Sequence, residues 1–166
     1  MLARGFTLIE IIVGIVVMAI IGTVVTAGMM PLFRQSVDPW QQVRAAELGQ
    51  SLMNDIMARS YDENSDRSGG QLRCGENTAP SCSASMGPEA GESRADYNDV
   101  DDYHGLQACD AAIADILGNS LASDFSGFCV NVSVAETQSN RSKLIQIAVT
   151  TPTNEIIRFA SYRGNW

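Results

Sequence analysis

An apolar run from Ile11 to Met30, interrupted by no charge, constrains this chain more than any other feature. At about 1.5 Å per residue it makes a helix roughly 30 Å long, the thickness of a bilayer's hydrocarbon core. The chain is therefore expected to begin in a membrane, as a helix over 6–30. Glu10 stands at the edge of that run, where a carboxylate is costly unless paired and is usually kept for a function. Arg4, the one charge ahead of it, would sit on the cytoplasmic side.

A secretory signal carries its cleavage site after a short apolar core. Here the order is inverted, because the hydrophilic leader ends at Gly5, ahead of the apolar segment. A cut between Gly5 and Phe6 would remove residues 1–5 and leave the helix attached. A plain signal anchor is the competing reading, although it would not require Gly, Phe and Glu at these offsets.

The stretch Arg4-Gly5-Phe6-Thr7-Leu8-Ile9-Glu10 resembles the class III leader of type IV pilins and pseudopilins. That resemblance implies cleavage after Gly5 by a prepilin peptidase, methylation of the new Phe6 amine, and an assembly role for Glu10. In such filaments the glutamate pairs with a neighbouring subunit's amine. Removing one member of a buried pair costs about 3–5 kcal/mol, enough to reject a subunit docked at the wrong axial register. The resemblance implies a single-pass protein of the bacterial inner membrane with its globular part in the periplasm. Its partners would be other major and minor pilins in a surface filament.

Of the 166 residues, about 135 remain for one ordinary domain. The net charge is −8, and loss of Arg4 with the leader makes it −9, which argues against a nucleic-acid surface. Cys74, Cys82, Cys109 and Cys129 all follow the apolar segment, and an even count in an exported domain favours disulfides. Zinc is the rival reading, but close Cys-x2-4-Cys pairs are missing. Four cysteines allow three connectivities. Proximity favours Cys74 with Cys82 and Cys109 with Cys129.

Pro31 and Pro39 each remove a helical hydrogen bond, so a kink or break is expected around 30–39, with Asp38 as N-cap of a restart. Ala45, Leu48, Gly49, Leu52, Met53 and Ile56 then recur at helical spacing, extending an amphipathic helix over 31–59. Residues 61–92 are rich in Ser, Gly, Asn and Pro and read as loop tied by cysteine. Leu106, Cys109, Ile113, Ile116 and Leu117 share one face of an expected second helix over 106–118. Alternation in Phe128/Val130/Val132/Val134, in Ile145/Ile147/Val149 and in Ile157/Phe159 predicts an antiparallel meander over 127–163. The fold expected is α+β and pilin-like: a long N-terminal helix on an antiparallel sheet of three or more strands. Strict alternation puts Cys129 on the face opposite Phe128 and Val130, which conflicts with an inward Cys109 on a helix.

The segment Asp96-Tyr-Asn-Asp99-Val-Asp101-Asp102-Tyr-His104 is the candidate for site chemistry. Its oxygen ligands, Asp96, Asp99, Asp101 and Asp102, suit calcium, although Val100 occupies a ligand position of the EF-hand pattern. A solvated acidic loop is the simpler reading. No Ser-His-Asp, Cys-His or phosphate-loop constellation is found, so no enzyme is expected. The Tyr97–Tyr103 segment and the acidic middle are also similar to D-type minor pilins of the mannose-sensitive haemagglutinin pilus. That implies a structural minor subunit. The alternatives are a minor pseudopilin of type II secretion and a membrane-anchored adhesive binding module.

Overall fold

A computed structural model describes residues 7–65, 73–76, 78–115 and 117–165, with side chains left out over 31–38. The chain divides into two compact units that meet between Trp40 and Gln41. One α-helix, α1 (Leu8–Met57), contributes to both.

In the first unit, Leu8–Met30 is long and apolar enough to cross a membrane. Its side chains are exposed in the isolated chain. The two hydroxyls in this stretch are satisfied inside the helix: Thr23 Oγ1 donates to the Ile20 carbonyl and Thr26 Oγ1 to that of Gly22, each at 2.8 Å. Such back-bonding removes the cost of placing a hydroxyl in hydrocarbon. The break expected around 30–39 does not occur, and Asp38 caps no restart, because α1 runs on through Pro31 and Pro39. Each proline forfeits one internal bond, and more than two helical turns separate them, so intact turns flank each.

The second unit packs the end of α1 on a four-stranded antiparallel sheet of order β1-β2-β3-β4. The strands are β1 (Gln107–Cys109), β2 (Cys129–Gln138), β3 (Ser142–Thr150) and β4 (Ile156–Gly164). The inward residues meet as cross-strand pairs: Val130 opposite Val149, Val132 opposite Ile147, and Ile147 opposite Phe159. Ala45, Leu48 and Ile56 of α1 are buried with them in one core. Gly49 belongs to the same helical face, and a Cβ built there would overlap the Phe159 ring. The helix therefore presents a notch to that ring, which is why a glycine interrupts an otherwise apolar stripe. The domain is α+β and pilin-like, with a long apolar N-terminal helix ahead of the antiparallel sheet.

The expected helix over 106–118 is not formed. Gln107–Cys109 pairs antiparallel with Asn131–Cys129 as a fourth strand, and Asp110–Ala112 makes a single 3-10 turn. The periodicity of Leu106, Cys109 and Ile113 was real but short, and pairing with an open sheet edge satisfies more backbone groups than one isolated turn. The strand also removes the conflict at Cys129. Cys109 and Cys129 are direct cross-strand neighbours with Cα atoms 4.1 Å apart, and they form a disulfide without a covering helix.

The second disulfide, Cys74–Cys82, closes the loop that follows α1. Asn165, at the far end of the chain, holds this loop by donating to the Cys74 carbonyl at 3.1 Å and the Asn140 carbonyl at 2.9 Å. The turns after β2 and β3 place Asn140 and Asn154 at positive φ, a conformation asparagine tolerates better than most residues.

Candidate functional site

Two regions hold the residues singled out from the sequence. Gly5 and Phe6, the expected cleavage and methylation residues, lie outside the described residues. Glu10 is described. It sits in the first turn of α1, where its N–H donates to the Thr7 carbonyl at 3.1 Å. Its side chain is exposed and, among the described residues, has no ion-pair or hydrogen-bond partner within the chain. A carboxylate at the head of a 23-residue apolar stretch that finds no partner among the described residues is costly there unless water, headgroups or another charged group satisfies it.

The acidic segment is built differently from a solvated loop. A parallel bridge joins Ser60, just beyond α1, to Asp99, and Val100 N–H donates to the Ser60 carbonyl at 3.1 Å. This draws Asp99, Val100, Asp101, Asp102 and Tyr103 into the interior, where all are buried. The carboxylates then cap one another's backbone. Asp99 Oδ1 accepts from the N–H groups of Asp101 and Asp102 at 2.6 and 3.2 Å, while Asp102 Oδ2 accepts from those of Asn98 and Asp99 at 2.8 and 3.0 Å. Asp101 faces Lys143, with Nζ 2.6 Å from Oδ1. Lys143 also donates to the Tyr61 carbonyl at 2.7 Å, lies 3.5 Å from Asp62 Oδ2, and stands 4.2 Å over the Tyr61 ring.

Tyr103 is anchored as firmly. Its hydroxyl donates to Asp55 Oδ2 at 2.9 Å and accepts from Arg94 Nη1 at 3.1 Å. Arg94 pairs with the same Asp55, as does Arg59 at 3.1 Å. The Arg94 guanidinium covers the Tyr103 ring at 4.6 Å, and Tyr97 meets Tyr103 edge-on at 5.2 Å. The Tyr97–Tyr103 segment is thus bolted to the last turn of α1.

These surroundings shift the acids in different directions. Burial, reinforced by the charges of Asp101 and Asp102, pushes the Asp99 carboxyl up to about 7. Burial also raises Asp101, opposed by Lys143. Glu89 is pushed up to about 7 by a hydrogen bond shared with Glu92 and by burial. Asp96 moves the other way, because Ser93 donates to it from both hydroxyl and N–H.

The four candidate calcium ligands therefore do not converge. Asp96 is exposed and bonded to Ser93, and Asp101 is bonded to Lys143. Asp99 and Asp102 each gather with glutamates from elsewhere instead. One oxygen from each of Glu63, Glu89 and Asp99 lies within 4.8 Å of the others, and the same holds for Glu89, Glu92 and Asp102. Those glutamates are scattered in sequence and carried no spacing signal. Asp55, Asp62, Arg94 and Lys143 were missed for the same reason. His104 is exposed, with Nδ1 accepting from the Val134 N–H at 3.1 Å.

Residues 1–26 match the model of the prokaryotic N-terminal methylation motif. No curated relative and no solved structure matches the chain. The motif supports a type IV pilin-like or pseudopilin precursor. Such a leader implies processing by prepilin peptidase and assembly with other pilins, and it suggests a structural subunit rather than an enzyme. With the apolar helix it fits an inner-membrane anchor.

Proposed function

We propose that the chain is a minor pilin, inserted through α1, cleaved between Gly5 and Phe6, methylated at Phe6, and incorporated into a thin surface filament or priming its assembly. The observation that carries this reading is the methylation motif over residues 1–26 set on a 23-residue apolar helix. Glu10 supplies the register. Unpartnered among the described residues, it is available to the Phe6 ammonium of a neighbouring subunit, and a mismatched neighbour would leave a charge unpaired in hydrocarbon. The likeness of the Tyr97–Tyr103 segment supports a pilus of the mannose-sensitive haemagglutinin kind over a secretion pseudopilus.

Intact-mass spectrometry of the membrane-extracted protein, expressed with and without prepilin peptidase, tests the first half. Loss of residues 1–5 with one added methyl is the result expected, and a full-length chain under both conditions would overturn it. For the second half, Glu10→Ala should leave cleavage intact and lower recovery of the subunit in sheared filaments. Undiminished recovery would remove the assembly role.

A further inference from the structure

We propose that Glu63, Glu89 and Asp99 form a site for one hard divalent cation of the calcium class, clasping three separate segments of the loop region between α1 and β1. The proposal is independent of the filament reading.

Three carboxylates bring an oxygen each to within 4.8 Å of one another, the spacing of ligands around an ion with oxygens at about 2.4 Å. Proximity of acids alone says little, since exposed clusters are common. The decisive observation is Asp99. Its side chain is 0% exposed, its Oδ1 is bonded to two N–H groups, and its Oδ2 has no hydrogen-bond partner among the described residues, a feature it shares with Asp102 Oδ1 in the neighbouring trio. An ionised carboxylate oxygen buried without a donor or counter-charge is costly enough that proteins pair it, protonate it or coordinate it. Lys143, the buried cation of this region, points to Asp101 and Asp62, which leaves Asp99 to Glu63 and Glu89.

The donor set selects the ion. Every ligand is a carboxylate, and all four cysteines are in disulfides. Softer metals that favour thiolate or imidazole find neither here, whereas calcium takes six to eight oxygens in irregular geometry and completes its shell with carbonyls and water. Glu63 follows α1, Glu89 lies in the middle of the long loop, and Asp99 precedes the buried turn, so an ion would tie the two exposed loop positions to the buried segment beside the core. The neighbouring trio, Glu89 with Glu92 and Asp102, shares one ligand and is the alternative position.

The test is calorimetric titration of calcium chloride into metal-free full-length protein in detergent, with magnesium for comparison. Wild type should bind one calcium saturably and more tightly than magnesium. Glu63→Gln and Glu89→Gln replace exposed side chains and should each weaken binding by about tenfold or more, since affinity follows ligand charge. Glu92→Gln and Asp96→Asn should change it by less than about threefold. Near-UV circular dichroism of each variant checks that the fold is kept. No saturable heat up to about 10 mM calcium, beyond the range of weak extracellular modules, would overturn the proposal. So would binding that survives Glu63→Gln and is lost in Glu92→Gln, which would move the ion to the neighbouring trio.

Discussion

Lys143, on the inward face of β3, places Nζ 2.6 Å from Asp101 Oδ1 at the start of a single 3-10 turn, and both side chains are 2% exposed. The sheet and the acidic loop are therefore joined by a buried charge pair, reinforced by the Tyr61 carbonyl and Asp62. On the same face Ile145, Ile147 and Val149 follow at alternate positions, so a lysine occupies what the pattern marks as a core position.

Lys143→Met keeps the stem's volume and removes the charge. It leaves Asp101 and Asp62 buried without their cation, so a loss of about 3–5 kcal/mol is expected. Thermal melts of the full-length protein in detergent, followed by near-UV circular dichroism, should fall by about 10 °C. A variant that melts with wild type would show that the loop stands without this pair.

Gly49→Val tests the notch under Phe159. A Cβ at Gly49 already overlaps the ring, and β-branching adds atoms the interface has no room for. Overpacking of this kind costs about 1–3 kcal/mol and outweighs the gain in helix propensity from removing a glycine, about 0.5 kcal/mol. The companion Phe159→Ala, Gly49→Val double variant should recover part of that loss. Strict additivity of the two changes would argue that they do not touch.

Loss of the Cys109–Cys129 bridge, as the double serine variant, should lower stability by about 3 kcal/mol, the chain-entropy value for a loop of its length. The strand β1 is only three residues long and the bridge fastens it to β2, so hydrogen exchange should quicken first at Gln107–Cys109. Uniform quickening across all four strands would show instead that the bridge serves global stability alone.

The periodicities carried the long elements. Alternation of valine and isoleucine located β2, β3 and β4, and the apolar spacing from Ala45 to Ile56 located the helical face that meets them. Local propensity misled in two places. The prolines suggested a break that the hydrogen bonds on either side override, and five apolar residues over 106–117 suggested a helix where an open edge of β2 takes up the chain as a strand. In both, the outcome depended on what lay next to the segment rather than within it.

The apolar helix long enough to cross a membrane, the N-terminal methylation motif over residues 1–26 and the inward faces of three strands were determined by sequence alone, because each rests on a contiguous or strictly periodic set of residues. The fourth strand, the burial of Asp99, Asp101 and Asp102, the Lys143 and Arg94 pairings, and the meeting of Glu63 with Glu89 and Asp99 were decided only in the folded chain. Those residues are brought together by loop closure across tens of positions. The charge of a side chain is written in the sequence, but whether it faces water, a counter-charge or an ion depends on which distant segment the fold sets beside it.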